Sequence, residues 1–229
     1  MSQKTMEEDD RGAAAMTNEW ASADHAEAYL ERADRLPHRR EGEAALLEVL
    51  PTNVRRVLDL GTGDGRLIEI VRRHCPAVRS VALDFSPTML TAVRERFSDD
   101  PSVSVIEHDL VQPLPELGTF DAIVSSFAIH HLTHERKRTL YEEVLIRLAP
   151  GGLFCNLEHV ASPTPRLHVA FLRAINYDPE QEDPSNRLLD LEIQLHWFRE
   201  IGYGDVDCLW KWRELALLVA YRPEYDTDE

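Results

Sequence analysis

The sequence predicts an α/β protein built on a mostly parallel sheet of seven strands, with helices on both faces. Three observations predict this fold. Apolar runs of strand length alternate with longer stretches of helical periodicity. Two of the runs lead directly into turn and cap residues, at Asp59-Leu60-Gly61 and at Asp84-Phe85-Ser86. The last two runs are joined so tightly that only an antiparallel hairpin can connect them.

The predicted elements follow in order along the chain. Two helices, at 17–33 and 39–50, precede the first strand. Strands are predicted at 54–60, 79–84, 103–108, 119–125, 152–158, 205–211 and 213–221. Helices are predicted at 65–74, 86–97, 134–148 and 186–201. Ser86 should cap the second of these with Pro87 in its first turn, and Thr133 should cap the third.

The chain is expected to form a single domain over residues 17–222, between a disordered acidic tail at 1–16 and a second acidic tail at 223–229. Residues 17–50 are assigned as N-terminal lid helices. The segment 161–201 is too long for a simple crossover, so we assign it as a cap or substrate insertion.

Composition narrows the class of protein. The formal net charge of −16 disfavours binding to a nucleic acid backbone. No apolar run approaches the length of a membrane span, and the polar, acidic N-terminus is not a signal peptide. The three cysteines, Cys75, Cys155 and Cys208, are far apart and odd in number. We expect them to be buried and reduced, as in the cytoplasm.

The most informative segment is the turn after the first strand, where Gly61, Gly63 and Gly65 alternate. Glycine permits positive φ and lets a ligand approach bare backbone. Nineteen residues after Gly65, the second strand ends in Asp84, which is placed to accept hydrogen bonds from ribose hydroxyls. The spacing predicts an adenosine-containing cofactor at the carboxyl edge of the sheet.

The same spacing indicates which cofactor is bound. Arg66 stands where a dinucleotide fingerprint has its third glycine, and the signature of a nucleotide phosphate loop is absent. Two acids, Asp59 and Asp64, would repel a pyrophosphate. They suit a cationic ligand such as S-adenosylmethionine, which carries a sulfonium and an ammonium group.

Five segments in order resemble the motifs of the class I S-adenosylmethionine-dependent methyltransferases. They are Val57–Gly65, Asp84–Leu90, Glu107–Leu110, Phe120–Leu132 and Leu148–Gly152. The resemblance covers about residues 54–159 and implies the Rossmann-like fold of that family.

The resemblance also implies roles for individual residues. Asp59 would hold the methionine ammonium, Asp84 the ribose, Phe85 and Met89 the adenine, and Asp109 the adenine amino group. The other residues assigned to cofactor binding are Tyr29 in the N-terminal lid, Gly61, Thr62, Gly63, Gly65, Leu110, Ser125, Ser126 and His130.

Histidines gather near the ends of two strands. His130, His131 and His134 follow the fourth strand, and His159 ends the fifth. His131 and His159 are candidate general bases because imidazole titrates near neutrality, and Glu158 is a candidate for orienting an acceptor. A metal site is the weaker alternative, because adjacent His130 and His131 are expected to point apart and His134 to lie on a helix surface. Packing against the cofactor is the structural alternative for His130.

The function implied is in-line transfer of a methyl group to a small-molecule nitrogen, oxygen, sulfur or carbon acceptor. Two alternatives stay open. One is an enzyme of the same fold acting on tRNA, on protein or on the cofactor itself, as in carboxy-S-adenosylmethionine synthesis. The other is a non-catalytic module that binds S-adenosylmethionine. An intact glycine turn argues against the module.

Overall fold

The computed structural model of the protein describes residues 36–224, and elements are numbered here from its first helix. The α-helices are α1 (Arg39–Val49), α2 (Arg66–His74), α3 (Pro87–Arg96), α4 (His134–Arg147), α5 (Pro165–Ala174) and α6 (Leu191–Ile201). The strands are β1 (Arg56–Leu60), β2 (Arg79–Asp84), β3 (Val103–Glu107), β4 (Phe120–Ser126), β5 (Leu148–His159), β6 (Gly204–Trp212) and β7 (Leu215–Tyr221). Short 3-10 turns lie at Ile129–His131 and Pro179–Gln181.

The seven strands form one sheet in the order β3-β2-β1-β4-β5-β7-β6. Strands β1 to β5 pair in parallel, whereas β7 runs antiparallel to both β5 and β6. The predicted fold class is therefore confirmed. The strand order reverses between β1 and β4, which opens a crevice at their carboxyl ends where doubly wound sheets bind ligands.

The sheet is buried on both faces, which accounts for its almost continuous apolar strands. One hydrophobic cluster packs β4, β5 and β7 against α4 and α6, with Tyr141, Phe154 and Phe198 at its centre. A second cluster packs the other face against α1, α2 and α5. Helix α1 lies so close to β5 that a Cβ on Gly42 would be 2.7 Å from Leu157 Cδ1.

The predicted elements around residues 161–201 need correction. The sequence did not reveal α5, which begins at Pro165 after the cap residue Thr164. Helix α6 begins at Leu191 instead of 186, because the Asp190 carboxylate accepts hydrogen bonds from the backbone N–H groups of Glu192 and Ile193 and so fixes the first turn. Strand β5 begins earlier than predicted, at Leu148.

Three smaller predictions had mixed outcomes. Thr133 caps α4 as predicted. Ser86 occupies the cap position of α3 but makes no capping bond, because its hydroxyl is turned into the interior. Cys75 and Cys155 are buried and unpaired, but Cys208 is half-exposed, since it lies on edge strand β6.

The predicted helix at 17–33 and the acidic tail at 1–16 lie outside the described residues. Over residues 36–224, no helix is long and apolar enough to cross a membrane.

Candidate functional site

The glycine turn after β1 has the predicted backbone. Gly61, Gly63 and Gly65 have φ values of 68°, 57° and 82°. A Cβ on Gly61 would collide with Ala128, and one on Gly65 would lie 2.6 Å from Phe97 Cε2. A Cβ on Gly63 would meet nothing nearer than the Met89 sulfur at 4.0 Å. Two glycines are therefore required by packing, whereas the third borders open space that a ligand can enter.

Asp59 lies beneath this turn with an incompletely satisfied carboxyl group. The residue is 1% exposed. Thr62 Oγ1 donates a hydrogen bond of 2.6 Å to Asp59 Oδ2, but Oδ1 is buried and has no partner among the described residues. The pKa of Asp59 is raised to about 7, chiefly by burial; the carboxylates of Asp84 and Asp64 also raise it, and the hydrogen bond from Thr62 lowers it. A cationic group placed at Oδ1 would remove the cost of this burial.

Asp84 uses both carboxylate oxygens to shape the same turn. Its Oδ2 accepts from the Gly63 N–H at 2.8 Å, and its Oδ1 accepts from the Ser86 N–H at 2.9 Å. Burial raises the pKa of Asp84, while these backbone donors lower it. Next to it, Phe85 is half-buried and Met89 is buried.

The remaining predicted cofactor residues lie around the ends of β3 and β4. Asp109 is half-buried, and its Oδ1 accepts from the Val111 N–H at 3.0 Å. Leu110 is buried, with its Cδ1 facing Gly61. Ser125 Oγ donates to the Leu60 carbonyl at 2.8 Å and so ties β4 to β1, whereas Ser126 Oγ is buried without a partner in the described chain. Tyr29 lies outside the described residues.

Three histidine rings meet at the carboxyl end of β4 and β5. The ring centroids of His130 and His131 are 4.0 Å apart, and those of His130 and His159 are 5.6 Å apart. The prediction that His130 and His131 point apart is wrong, because their rings are in contact. Each ring has its own partner: His130 Nδ1 lies 2.8 Å from Glu158 Oε1, and His131 Nδ1 lies 2.9 Å from Ser185 Oγ.

His134 also differs from expectation. It is half-buried, and its Nε2 donates a 3.3 Å hydrogen bond to the carbonyl of Leu188. Within residues 36–224, no group of three or more His, Cys, Asp or Glu side chains is arranged to hold a metal ion.

Burial sets the charge of this histidine cluster. It lowers the pKa of His130 well below its usual range, and nearby His159 and Lys137 lower it further. Burial and His130 likewise lower the pKa of His131. Burial raises the pKa of Glu158, against the opposing effect of Lys137. The two neighbouring imidazoles are therefore neutral at pH 7.

Glu214, which the sequence analysis missed, organises the neighbouring wall of the site. It follows β6 and is 1% exposed. His159 Nε2 lies 2.8 Å from its Oε2, His168 Nδ1 lies 3.0 Å from its Oε1, and Ser162 also donates to Oε1. Burial alone would raise the pKa of Glu214, but the bonds from His159 and Ser162 outweigh it and lower the pKa. Little in the sequence indicated this role, because Glu214 is a single acidic residue at the start of the last predicted strand.

The segment 183–189 covers the histidines. The Arg187 N–H donates to the His130 carbonyl at 2.8 Å, and the buried Lys137 ammonium donates to the carbonyl oxygens of His130 and Arg187. Together with the bond from Ser185 to His131, these contacts attach part of the predicted cap to the carboxyl edge of the sheet.

Comparisons with known proteins agree with this architecture. Residues 57–152 match the family described as methyltransferase domain. A demethylmenaquinone methyltransferase of Clavibacter sepedonicus is 31% identical over an alignment of 174 positions that covers 69% of each chain. An uncharacterized methyltransferase of Mycobacterium tuberculosis is 34% identical over 125 residues, 55% of this chain and 59% of that protein. The chain thus spans less than two thirds of the length of some curated relatives.

Among solved structures, an O-methyltransferase family protein from Burkholderia thailandensis superimposes with a TM-score of 0.70 at 19% identity, covering 90% of this chain and 62% of that one. The sheet order and the glycine turn define a doubly wound α/β protein of the cofactor-binding class. The chain belongs to the class I S-adenosylmethionine-dependent methyltransferase family.

Proposed function

We propose that the protein transfers a methyl group from S-adenosylmethionine to a small-molecule acceptor. The observation that carries the proposal is the buried Asp59 carboxyl, whose Oδ1 lacks a partner in the described chain. Gly63, in the turn that follows Asp59, borders open space. An orphaned carboxylate oxygen of this kind fits an ammonium group and repels a phosphate. Family membership supports the same cofactor.

The remaining contacts fit the rest of that cofactor. Asp84 would accept from the ribose hydroxyls, Phe85 and Met89 would contact the adenine ring, and Asp109 would accept from its amino group. Gly61, Thr62, Gly65, Leu110, Ser125, Ser126, His130 and, in the predicted lid, Tyr29 would complete the pocket. When bound, the cofactor supplies an activated methyl group on a sulfonium.

We assign His159 as the general base for the acceptor. Its Nε2 lies 2.8 Å from Glu214 Oε2. A ring that donates from Nε2 to this carboxylate leaves Nδ1 to accept a proton, in the manner of a carboxylate-oriented catalytic histidine. An acceptor X–H would give its proton to His159 as X bonds to the methyl carbon, and the electron pair of the broken carbon–sulfur bond would stay on sulfur. His131 and Glu158 would line the acceptor side and exclude water.

A small acceptor is supported by two observations. The net charge of −16 opposes contact with a nucleic acid backbone. The relative from Clavibacter sepedonicus is named as a demethylmenaquinone methyltransferase, so an uncharged ring hydroxyl or ring carbon is the acceptor class we would screen first.

We also propose a cytoplasmic location, which the three unpaired cysteines support.

Calorimetric titration with S-adenosylhomocysteine tests the cofactor assignment. Asp59→Asn keeps the shape of the side chain and removes its charge. We expect its affinity to fall on the order of 10- to 100-fold, the usual value of a hydrogen bond to a charged group. Asp100→Asn is the matched control, because Asp100 pairs with Arg72 before β3, at the opposite edge of the sheet. Equal affinities for Asp59→Asn and the wild type would contradict the assignment.

Turnover tests the acceptor class. Release of S-adenosylhomocysteine is measured with panels of phenols, quinols and amines. Glu214→Gln should lower kcat with hydroxyl or carbon acceptors and shift its pH profile, while amines, which need little base, should be less affected. A protein that binds the cofactor yet releases no product with any panel would favour the non-catalytic module, and product from tRNA or protein alone would overturn the small-molecule acceptor.

A further inference from the structure

His168 belongs to the wall around Glu214, but the proposed reaction gives it no role. It lies near the start of α5, and its side chain is 26% exposed. Its Nδ1 lies 3.0 Å from Glu214 Oε1 and 3.2 Å from Glu214 Oε2. On the other side of the ring, Nε2 lies 2.9 Å from Glu182 Oε2. Both nitrogens of one imidazole therefore face carboxylates.

This geometry determines the charge of the His168 ring. A neutral imidazole has one N–H group and one lone pair, so one of the two carboxylates would face a lone pair. An imidazolium donates from both nitrogens and satisfies both carboxylates. Burial opposes the positive charge, but the hydrogen bonds to Glu182 and Glu214 outweigh it and raise the pKa of His168. His168 thus differs from His130 and His131, which burial keeps neutral.

Other charged groups approach His168 from the elements packed around it. Glu214 lies in the turn between β6 and β7, and His159 at the end of β5 shares that carboxylate. Arg213, in the same turn as Glu214, donates to a backbone carbonyl of α5. Because Arg213 is exposed, solvent screens its charge, whereas the two carboxylates contact the ring directly. The carboxylates therefore dominate the electrostatics of His168.

Glu182 connects this ring to the chain that covers the histidine cluster. It immediately precedes the segment 183–189, which we call the cap segment. The far end of the cap segment is attached just beyond β5, where the Leu189 carbonyl accepts from the Ala161 N–H at 3.0 Å. The near end is attached to α5 through the ion pair between Glu182 and His168. The imidazolium thus joins the cap segment to the wall of the site.

We infer that His168 is a positioning residue that, as an imidazolium, fastens Glu182 and the cap segment to Glu214 and so closes the acceptor side of the site. The inference rests on the proposed function, because the closed cap segment would bound the acceptor pocket. Loss of the ring proton leaves one carboxylate facing a lone pair. The cap segment is therefore held at low pH and is released as pH rises through the titration of His168.

Four proteins and three measurements test the inference. The proteins are the wild type, His168→Gln, Glu182→Gln and the control Glu180→Gln, which changes an exposed acid two residues from Glu182. Replacing Glu by Gln keeps the shape of the side chain and removes its charge. Thermal unfolding checks that each variant is folded, and Glu182→Gln leaves the contact between His168 and Glu214 in place.

Imidazole NMR measures the charge of His168 without any ligand, and His168→Gln identifies its resonance. In the wild type the ring should titrate above the usual value for histidine. In Glu182→Gln the titration should move to lower pH, because one of the two carboxylate partners has lost its charge. Glu180→Gln should leave the titration unchanged. A wild-type titration at or below the usual value would overturn the inference.

Amide hydrogen exchange measures closure of the cap segment. Between about pH 6 and about pH 9, protection of residues 183–189, corrected for intrinsic exchange, should fall on the order of 10-fold in the wild type and in Glu180→Gln. In His168→Gln and Glu182→Gln it should already be low at the lower pH and change little. Asp59 titrates in all four proteins, so its effect cancels. The same pH dependence in all four would overturn the inference.

Kinetics separates this inference from the proposed function. At about pH 6, Glu182→Gln should raise KM on the order of 10-fold for the phenol or quinol that the wild type methylates fastest, with a smaller change in kcat. Its affinity for S-adenosylhomocysteine should be unchanged. Turnover with an unaltered KM, or equal weakening of S-adenosylhomocysteine, would overturn the inference alone. No turnover by any protein, with exchange as expected, would overturn the proposed function and leave the pH-dependent closure standing.

Discussion

Asp59 and Glu214 are both 1% exposed, yet burial has opposite consequences at the two sites. Asp59, in the cofactor half beneath the glycine turn, accepts one side-chain hydrogen bond and has a pKa raised to about 7. Glu214, in the acceptor half beside His159, accepts from three side chains, and its pKa is lowered. The donors around Glu214 outweigh the effect of its burial on the pKa, whereas the single side-chain donor at Asp59 does not.

The difference suits the two tasks that we propose for these carboxyl groups. A carboxyl group that binds a transient cation is best left under-satisfied, because the ligand then supplies the missing partner. A carboxylate that orients a histidine has to have all its hydrogen-bond donors in place before substrate binds. The burial of Asp59 is therefore unfavourable until a cation binds, whereas Glu214 has its hydrogen-bond partners before any ligand binds.

The largest effect is expected from removing the satisfied carboxylate. Glu214→Ala leaves His159, Ser162 and His168 without their common acceptor, so the free energy of unfolding should fall by about 3 kcal/mol. Urea denaturation measures it, with the exposed Glu95→Ala as the control, which should change stability by less than about 0.5 kcal/mol. A loss no larger than that of the control would contradict the contrast between the two carboxyls.

The second prediction uses pH to isolate Asp59. Its folded pKa of about 7 lies above the unfolded value of 3.8, so between these pH values the folded state holds the extra proton. Stability therefore falls as pH rises towards 7 and is flat above it. From pH 5.5 to pH 8 the wild type should lose about 2 kcal/mol relative to Asp59→Asn. Parallel denaturation curves at the two pH values measure this difference, and a constant difference would show that Asp59 is ionised in the folded protein throughout.

The smallest effect should come from removing one donor of three. Ser162→Ala deletes one hydrogen bond to Glu214, and the unfolding free energy should fall by about 1 kcal/mol. The pKa of Glu214 should rise, because Ser162 helps to lower it. Side-chain carboxyl NMR follows that titration, with Ser98→Ala, an exposed serine after α3, as the control. An unchanged Glu214 titration would mean that His159 and His168 alone hold the carboxylate charged.

The sequence predicted most of the cofactor half because its residues are local in the chain. The strand, the glycine turn and the helix start of β1–α2 form one continuous stretch, and the spacing to Asp84 is set by one helix and one strand. Each prediction needed only periodicity and the backbone requirements of glycine. The roles assigned to these residues remain predictions.

The acceptor half was not predictable in the same way because its contacts depend on register. Glu214 reaches His159 because β5 and β7 pair with His159 opposite Leu215. Nothing in the two strands alone fixes that alignment. Helix α5 was missed because the segment 161–201 contains four prolines, two of them at Pro163 and Pro165. Pro165, however, stands at the first position of a helix, where its missing N–H costs nothing.

The position of β7 also has a consequence for biosynthesis. Strand β7 inserts between β5 and β6, so a nascent chain that ends before residue 221 leaves the antiparallel side of β5 without its partner. An apolar strand with unpaired backbone groups is a template for aggregation. Strand β7 also brings Glu214 to His159, so the strand pairing that covers the edge of β5 also assembles the wall we propose for the acceptor.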